Sequence, residues 1–436
     1  MILLPHQKEA LAYTFKTDHP ALFLDMRLGK SVVYSYRVRS YPKNTMNLIV
    51  CPISAIDGWI KALREITQVE PIVLYGERLE RLEGLRAGAR FYIINWDGIR
   101  VIPEIATVKW YSLCLDESHL IKNPKSKTTK YFSKHFKKIP HRWILTGTPD
   151  TEATMDIIPQ FNFLDPFILR TTYWEFRTNY TYMSDYMKFK PNSRGERLLA
   201  LAMSKAFIRT RKDVDFPCEK IYENRYLTLP PEMQKKYDIC EKEFLIEEML
   251  KQNPLDFKTL FSIQKAVWLR LMTSGIINGK IVWQDKIAET LLIVSGTSES
   301  VIIWATFIDE FNLIIESLKK NKITHLGING AIPVKKRTDL IKQFNSGEKR
   351  VLVAQPECYR FGADLSKSSV MIYFSQPNSL ITKVQTEDRV VHLTKKCPVM
   401  IYNMIVKNTI DEDMTDSFSD KKTDSLRLRK LVNEIS

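Results

Sequence analysis

The sequence predicts an α/β protein with two parallel-sheet domains and a mostly helical segment between them. Up to about residue 150, short apolar runs alternate with amphipathic stretches of helical length, and this alternation returns after about residue 290. The part between 152 and 290 instead holds long, charged segments with helical spacing, such as 231–250. At about 100 to 200 residues per domain, a chain of 436 residues forms two to four domains.

The candidate strands are continuous apolar runs, without the polar and apolar alternation that marks a sheet with one face in water. Strands buried on both faces have this pattern, which is typical of parallel sheets covered by helices. In the first domain the runs are 21–24, 47–51, 72–75, 91–94, 111–115 and 142–145. In the second domain they are 301–305, 325–327, 351–354, 370–374 and 399–402.

The chain is strongly basic. It has 65 Lys and Arg residues against 50 Asp and Glu residues, a formal net charge of +15 and a pI near 9.3. This excess favours a polyanionic partner, and nucleic acid is the first candidate. Charge-free stretches such as 44–56 are shorter than the roughly 18 apolar residues of a membrane span, and the first residues lack the basic segment of a signal peptide. We therefore expect neither a membrane nor a secreted protein.

The cysteines predict reduced thiols. They are isolated in the sequence, mostly in apolar surroundings, and show no Cys-x-x-Cys or Cys/His ligand spacing. This usage favours a cytoplasmic location. The six are Cys51, Cys114, Cys218, Cys240, Cys358 and Cys397.

The segment from Leu24 to Ser31 predicts a phosphate-binding loop. It follows a candidate strand, contains Gly29-Lys30-Ser31 and precedes a helical stretch. In such loops backbone N–H groups cradle phosphates, the lysine neutralises them and the hydroxyl holds Mg²⁺. Leu24 and Arg27 stand where glycines are usual, so an ordinary loop with a helix cap is the alternative. The nucleotide-binding candidates are Arg27, Leu28, Gly29, Lys30 and Ser31.

Two adjacent carboxylates, Asp116 and Glu117, end the apolar run at 111–115 and precede Ser118-His119. A carboxylate at a strand end beside a phosphate loop can hold the metal, and its neighbour can polarise the attacking water. A solvated acidic turn is the alternative. The purely apolar residues before the pair favour the catalytic interpretation.

Further short segments follow in order along the chain. They are Leu4-Pro5-His6-Gln7, Val50-Cys51-Pro52-Ile53-Ser54 with Trp59, Leu120-Ile121-Lys122-Asn123 after the acidic pair, Leu145-Thr146-Gly147-Thr148-Pro149, 161–166, 209–214 with Phe216-Pro217, Gln234 with Tyr237, Gly330 with Arg337, 344–345, 362–365 and 385–389. Together with the loop and the carboxylates, they resemble the Swi/Snf-like branch of the superfamily 2 helicases over roughly residues 4–412.

This resemblance implies an α/β fold of two RecA-like parallel-sheet lobes, with helical insertions between and within them, and ATP and Mg²⁺ as cofactors. Lys30, Asp116, Glu117 and Arg389 would be catalytic, and Arg389 would act as an arginine finger from the second lobe. Ser31 and Asp116 would hold the metal. Further nucleotide contacts would come from Gln7, Gly362, Asp364 and Gln385. The implied DNA contacts are Ser54, Lys122, Asn123, Thr148, Arg209, Arg211 and Lys212.

Two positions depart from the family pattern. Tyr359-Arg360 replaces a Gly-Gly pair, so we expect an altered backbone approach to DNA or nucleotide there. His392 replaces a second arginine three residues after Arg389, and a neutral imidazole is a poor substitute for a guanidinium. A packing role for His392 is as plausible as a catalytic one.

Basic residues are dense after the acidic pair and again at 209–212. Both clusters are candidates for contacts with phosphates, although Lys-rich helices are also common as solvated faces. The first cluster is Lys122, Lys125, Lys127, Lys130, Lys134, Lys137 and Lys138.

The domain prediction has five parts. They are a first RecA-like lobe at 1–150, a helical insertion and lobe junction at 151–222, a helical insertion of the second lobe at 223–292, a second RecA-like lobe at 293–412 and a basic C-terminal helix or tail at 413–436.

The predicted function is ATP-dependent translocation on duplex or branched DNA, such as forks and Holliday junctions, in replication, recombination or repair. The expected form is a monomeric motor of phage or bacterial type. The alternatives are an RNA helicase, the motor of a restriction system, or a catalytically degenerate DNA-binding scaffold. The scaffold is suggested by the unusual residues Leu24, Arg27, Tyr359 and His392.

Overall fold

The computed structural model describes residues 2–150, 152–183, 189–214, 216–249, 266–277, 279–358, 364–392 and 395–435. The chain forms two compact units. One comprises residues 1–216 and 421–436, and the other comprises residues 217–420. The predicted subdivision of each unit stays a prediction. Within the described residues, no helix has the length and apolar character needed to cross a membrane.

The first unit contains a seven-stranded parallel sheet with the strand order β3-β4-β2-β5-β6-β1-β9. Its strands are β1 Ala21–Leu24, β2 Asn47–Cys51, β3 Ile72–Leu74, β4 Phe91–Asn95, β5 Ser112–Asp116, β6 His141–Leu145 and β9 Phe207–Arg209, while β7 Thr181–Met183 and β8 Phe189–Pro191 form a separate antiparallel pair. All six predicted strands of this domain are confirmed to within one residue.

Helices surround this sheet. They are α1 Pro5–Thr14, α2 Lys30–Val38, α3 Ile56–Thr67, α4 Arg78–Arg86, α5 Gly98–Val101, α6 Lys127–His135, α7 Ile157–Leu164, α8 Pro166–Leu169, α9 Tyr173–Tyr180 and α10 Ser193–Met203.

Both faces of the first sheet are buried, which explains the continuous apolar runs. In β1, Ala21 and Phe23 belong to one core cluster, whereas Leu22 and Leu24 belong to another. Successive side chains of a strand point to opposite faces, so each strand must be apolar throughout to cover both clusters. Full burial of one such side chain contributes about 1.5 to 3 kcal/mol.

The second unit contains a six-stranded parallel sheet with the strand order β10-β17-β16-β13-β15-β14. Its strands are β10 Lys220–Leu227, β13 Val301–Trp304, β14 His325–Ile328, β15 Val351–Ala354, β16 Val370–Tyr373 and β17 Val399–Val406, and β11 Ile276–Ile277 pairs with β12 Lys280–Ile281. The five predicted strands are present, and β17 extends four residues beyond its prediction.

The helices of the second unit include the predicted one at 231–250, which is present as α11. They are α11 Pro231–Met249, α12 over 266–273, α13 Asp285–Ser295, α14 Ile308–Lys320, α15 Val334–Ser346, α16 Leu380–Glu387 and the first part of α17 Ile410–Ile435.

Among the described residues, six strands were not predicted, and all of them fall in the part predicted to be mostly helical. Four form the two short antiparallel pairs β7-β8 and β11-β12, and the other two, β9 and β10, are edge strands of the two parallel sheets. β9 has only three residues, each of them half-buried. β10 alternates half-buried and exposed side chains because it lies at the edge of the second sheet. Neither strand has the continuous apolar signal of a fully buried strand.

The C-terminal helix α17 is helical throughout its described length, and its residues from 421 onward belong to the first unit. Leu428 and Val432 lie in a core cluster of that unit. Arg427 forms an ion pair with Glu196, with 2.9 Å between Nη2 and Oε2. This segment is therefore a packed part of the first unit.

Candidate functional site

The loop between β1 and α2 has the backbone of a phosphate-binding turn. Gly29, directly before α2, has a φ of +86°, and a Cβ there would lie 2.2 Å from Nε2 of Gln7. Both facts require glycine at this position. Arg27 also has a positive φ, of 68°. An arginine thus adopts a conformation that glycine favours, at a local cost of about 1 to 2 kcal/mol.

Lys30 is the first residue of α2, and its ammonium lies over the loop. Nζ donates to the carbonyl oxygen of Leu24 at 2.9 Å. Among the described residues no side chain caps the N-terminus of α2, which leaves the first N–H groups of the helix for an anion. Ser31, the next residue, is half-buried. The ammonium, the hydroxyl and the helix N-terminus are the groups that a triphosphate requires.

Gln7 and His6 on α1 hold the loop from the other side. Nε2 of Gln7 donates to the carbonyl oxygen of Leu28 at 3.1 Å, and Oε1 of Gln7 accepts from the N–H of Leu4 at 3.0 Å. Nε2 of His6 lies 3.0 Å from the same Leu28 oxygen. The predicted adenine-reading glutamine therefore also fixes the loop.

Arg209 and Arg211, predicted to contact DNA, lie against this loop. The N–H of Arg211 donates to Oδ2 of Asp25 at 2.9 Å, and its Nη2 donates to the carbonyl oxygen of Met26 at 3.0 Å. Nη2 of Arg209 pairs with Oε2 of Glu9 at 2.8 Å. Lys212, in contrast, is exposed. These two arginines thus support the loop in the structure.

Asp116 ends β5 and is held by two tryptophans. Its Oδ2 accepts from Nε1 of Trp59 at 2.8 Å, and its carbonyl oxygen accepts from Nε1 of Trp96 at 3.0 Å. Burial, followed by the neighbouring Glu117 carboxylate, raises the pKa of Asp116 to about 6, and the positive charge of Lys30 partly opposes this shift. The influence of Lys30 on Asp116 links the phosphate loop to the acidic pair.

Glu117 has a left-handed backbone, with φ 57°. Its Oε2 accepts from Oγ1 of Thr146 at 3.2 Å and lies 3.3 Å from Nδ1 of His119. Nδ1 of His119 also lies 3.2 Å from Oγ1 of Thr146 and 3.4 Å from Oγ1 of Thr148. The two threonines and the histidine therefore form one buried polar cluster around the carboxylate.

The turn after β6 packs directly on the phosphate loop. A Cβ on Gly147 would lie 3.2 Å from the carbonyl oxygen of Leu24 and 3.3 Å from the N–H nitrogen of Met26. This close approach brings Thr146 and Thr148 next to the loop, since they flank Gly147. The strands β1, β5 and β6 are parallel, so their carboxyl ends share one edge of the sheet. For this reason the phosphate loop, the acidic pair and the two threonines, which follow these strands, lie close together.

Three further predicted DNA contacts lie outside this cluster. Nζ of Lys122 pairs with Oδ2 of Asp156 at 3.3 Å, and burial raises the pKa of Asp156 to about 6. Oδ1 of Asn123 accepts from the N–H of Lys125 at 2.9 Å. Ser54 lies half-buried in the turn before α3.

In the second unit, the predicted residues lie around α16. The carbonyl oxygen of Arg389 accepts from the N–H of Leu365 at 3.0 Å, which ties its segment to that of Asp364. Oδ1 of Asp364 accepts from the N–H of Ser366 at 3.2 Å. His392 is half-buried. Gly362, Tyr359 and Arg360 lie outside the described residues.

Gln385 is 1% exposed, and neither polar atom of its amide has a hydrogen-bond partner among the described residues. Two residues further, Oε2 of Glu387 accepts from Nζ of Lys220 at 3.1 Å and from the hydroxyl of Tyr222 at 2.7 Å. Lys220 and Tyr222 lie on β10. The sequence analysis therefore missed these supports together with the strand that carries them.

Trp96 is a further residue that the sequence analysis missed, and Trp59 was noted only as part of a motif. Both donate to Asp116 from segments far away in the sequence. The available signal was a tryptophan after each of two apolar runs: Trp59 after 47–51 and Trp96 after 91–94. Its meaning depends on β2, β4 and β5 being adjacent in the sheet.

The fold and the site define a class of protein: an α/β protein with two parallel-sheet units, the first of which carries a phosphate-binding loop and a buried acidic pair. Residues 6–272 match the family model of the SNF2-related domain, and residues 284–393 match that of the helicase conserved C-terminal domain. The first match covers more than half of the chain. The chain therefore belongs to the SNF2-related family of superfamily 2.

Several curated proteins are similar to the chain. A Caenorhabditis elegans homolog of the SWI/SNF-related matrix-associated actin-dependent regulator of chromatin subfamily A-like protein 1 is 26% identical over 96% of this chain and 61% of its own length. An uncharacterized ATP-dependent helicase of Mycoplasma genitalium is 26% identical over 94% of this chain and 40% of its own length. A putative ATP-dependent helicase/translocase of Bacillus subtilis is 22% identical, over 92% and 45%.

The chain thus spans between 40% and 61% of the length of these relatives. Among solved structures, a Sulfolobus solfataricus SWI2/SNF2 ATPase core in complex with dsDNA is 20% identical. The alignment covers 98% of this chain and 95% of that chain, with a TM-score of 0.47.

Proposed function

We propose that the protein is an ATP-dependent DNA translocase or helicase that uses Mg²⁺. The observation that carries this proposal is the convergence of Lys30 with the buried carboxylates of Asp116 and Glu117 at one edge of a parallel sheet. A cation, a metal-binding carboxylate and a second carboxylate are the groups that phosphoryl transfer to water requires. The names of two bacterial relatives, which include ATP-dependent helicase, support the same activity.

The residues of the first unit fit magnesium-bound ATP. The uncapped N-terminus of α2 and the ammonium of Lys30 would bind the phosphates. The hydroxyl of Ser31 and the carboxylate of Asp116 would hold Mg²⁺, which usually takes one or two protein ligands and completes its shell with phosphate oxygens and water. When bound, ATP supplies the phosphoanhydride bond whose hydrolysis drives movement.

Glu117 is proposed to orient and polarise the attacking water. Its carboxylate is kept in place at Oε2 by Thr146 and His119, so the orientation of the proposed general base is fixed before the water binds. Asp116 is fixed by Trp59 and by the N–H of Glu117, which suits a ligand of constant geometry. Arg389 as an arginine finger stays a prediction from the family resemblance, as do the contacts of Gly362, Asp364 and Gln385 with the nucleotide.

DNA is the proposed partner because the chain carries a net charge of +15 and exposes lysines that follow the acidic pair. Ser54, Lys122, Asn123, Thr148 and Lys212 remain the proposed contacts, and the positions of Arg209 and Arg211 favour support of the phosphate loop. Branched DNA, such as a fork or a Holliday junction, is the proposed substrate, in replication, recombination or repair. A cytoplasmic location and a monomeric motor complete the proposal.

A panel of nucleic acids tests this function. ATP hydrolysis by the full chain is measured alone and with blunt duplex DNA, a fork, a Holliday junction and single-stranded RNA. We expect stimulation by the DNA substrates, with the largest rate on the branched ones. Stimulation by RNA alone would replace DNA with RNA as the substrate. The absence of turnover with every nucleic acid would favour a DNA-binding scaffold and contradict the proposal.

A further inference from the structure

We propose that Trp174, together with Lys125 and Arg177, forms a binding site for an unpaired nucleotide of a DNA strand. This inference rests on the proposed function and extends it to a site outside the helicase motifs. Trp174 is the second residue of α9, and 45% of its surface is exposed. Phe176 on the same helix is fully buried and packs at 5.4 Å from Tyr180. Phe176 is therefore the core residue of this helix, while Trp174 makes an edge-on contact with Tyr173, with 5.3 Å between the ring centroids, and stays half exposed.

Two cations lie over the indole ring. Nζ of Lys125 lies 5.2 Å from the ring centroid, and Cζ of Arg177 lies 5.8 Å from it. Arg177 also lies 3.8 Å from the ring centroid of Phe189, on β8. Among the described residues, neither Lys125 nor Arg177 has a carboxylate at salt-bridge distance. Their charges are available to an external anion.

The nearest acidic side chains on the same elements are already engaged. Oε2 of Glu175, the residue after Trp174, accepts from the N–H of Thr172 at 2.7 Å and so completes the cap of α9. Asp156 is buried and pairs with Lys122. Lys125 and Arg177 thus outnumber the one exposed carboxylate beside Trp174, and their charges are complementary to a phosphate backbone.

The site also continues a surface that is already proposed to bind DNA. The N–H of Lys125 donates to the side chain of Asn123, one of the predicted DNA contacts. Asn123 and Lys125 belong to the same turn, so a strand bound at Asn123 would pass close to Lys125.

The ring and the cations together select an unpaired nucleotide rather than a duplex. Exposed aromatic rings bind single strands by stacking on bases while neighbouring cations neutralise the phosphates, and every base has a face that can stack. Inside a duplex, away from its ends, both faces of each base are covered by neighbouring bases. Trp174 can therefore stack on an unpaired base when a cation over the ring moves to a phosphate, but it cannot stack on a base inside a duplex, whereas Lys125 and Arg177 can bind either form.

The experiment compares Trp174→Ala with wild type in the full chain without nucleotide. Dissociation constants are measured by fluorescence anisotropy for a labelled fork with two single-stranded arms, an oligo-dT strand and a blunt duplex. We expect Trp174→Ala to weaken binding of the fork and of oligo-dT by about 5- to 150-fold and to change duplex binding less than about twofold. Trp174→Phe should retain most of the affinity.

Phe167→Ala is the matched control. Phe167 lies on the neighbouring helix α8 and is 75% exposed, so its removal tests the loss of any exposed ring. Its affinities should equal those of wild type. Trp174→Leu keeps apolar bulk without a stacking face and should behave like Trp174→Ala. Melting temperatures of all variants within about 2 °C of wild type would verify folding. A loss of about 1 kcal/mol in stability lowers the melting temperature by about 2 to 4 °C in a domain of about 150 to 250 residues.

Two results would overturn the inference while leaving the proposed function intact. An equal loss on fork, single strand and blunt duplex would mean that Trp174 supports a general phosphate contact. Unchanged affinities would mean that the two cations only stabilise the ring locally. If wild type binds none of the DNA substrates, the proposed function itself fails.

Discussion

At the scale of single residues, the two neighbouring carboxylates of the acidic pair have different environments. Asp116 is buried between the indole N–H groups of Trp59 and Trp96, and its pKa is raised. Glu117 turns away through a left-handed backbone and bonds to Thr146. Strain of about 1 to 3 kcal/mol at such a residue persists only where the surroundings hold it in place. Here the backbone of Glu117 directs the two carboxylates toward different partners.

Lys30→Ala should abolish ATP hydrolysis and leave folding nearly intact. The ammonium is the proposed ligand for phosphate, and among the described residues it donates hydrogen bonds only to carbonyl oxygens of its own loop. Steady-state ATP turnover and the melting temperature are the measurements. Lys61→Ala, at a solvent-exposed position on α3, is the control and should be neutral. Turnover near the wild-type rate in Lys30→Ala would contradict the phosphate-loop assignment.

Glu117→Gln should retain nucleotide binding but slow hydrolysis by about 10²- to 10⁴-fold, which is the usual contribution of a positioned general base. The amide keeps the shape and can still bond to Thr146, but it accepts no proton. Filter binding of labelled ATP and single-turnover hydrolysis measure the two effects separately. A variant that neither retains ATP nor slows its cleavage shows that another group activates the water.

Asp116→Asn should abolish hydrolysis, and its stability without nucleotide relative to wild type should be higher at pH 7.5 than at pH 4.5. Because the folded pKa of about 6 exceeds the ordinary value of 3.8, ionised Asp116 opposes folding at neutral pH, by about 2 to 3 kcal/mol. This penalty falls as the pH decreases through 6 and is lost below about pH 4, where Asp116 is protonated in both states. Denaturant unfolding at pH 7.5 and pH 4.5 should therefore show a lower stability of the variant relative to wild type at the lower pH. An equal or opposite difference would contradict the raised pKa.

At the scale of elements, the second unit joins α13, α12 and the start of α17 through a buried ion pair. Lys286 is completely buried, and its Nζ lies 2.7 Å from Oδ2 of Asp411. Oδ1 of Asp411 accepts from the hydroxyl of Thr273 at 3.2 Å. A buried pair of this kind holds elements in register more than it adds stability, but removal of one partner leaves an uncompensated charge.

Lys286→Met should therefore lower the free energy of unfolding of the second unit by about 3 to 5 kcal/mol. The double variant Lys286→Met with Asp411→Asn should lose less than the single variant, because no buried charge is left unpaired. Lys342→Met is the matched control, since Lys342 and Asp339 form an exposed pair 3.7 Å apart and such pairs contribute about 0 to 1 kcal/mol. Denaturant unfolding followed by fluorescence measures all three. A single variant as stable as wild type would show that the pair is dispensable.

At the scale of the whole molecule, the charge of the chain predicts how its binding to DNA, the proposed partner, should depend on salt. A protein with a net charge of +15 that neutralises phosphates releases condensed counterions from the DNA. The lysines that follow the acidic pair are exposed along α6, which places several cations on one helix of the first unit.

The dissociation constant for a blunt duplex should consequently rise steeply with salt. A plot of log affinity against log salt should have a slope of about −0.9 for each neutralised phosphate. Anisotropy titrations at several KCl concentrations between about 50 and 200 mM measure this slope. Each titration varies the protein concentration over about one order of magnitude around its midpoint. A flat response would indicate recognition of base edges or a partner other than nucleic acid.

The sequence by itself determined the elements whose signal is local. The predicted strands are present because a strand buried on both faces is apolar at every position, as in β1 and β2. The loop at Gly29 and the acidic pair after β5 were also predicted, since each is a short run of residues whose chemistry depends on its own spacing.

Only the tertiary structure decided which side chains meet. The edge strands β9 and β10 have short or alternating patterns, and they become strands because a neighbouring strand supplies their hydrogen bonds. Trp59, on the helix α3 that follows β2, donates to Asp116 at the end of the adjacent strand β5. Arg211, just after β9, donates to a carbonyl oxygen of the phosphate loop. Such contacts join residues far apart in the sequence, so no local pattern contains them. The order of strands in the sheet sets them, and that order comes from the packing of the whole unit.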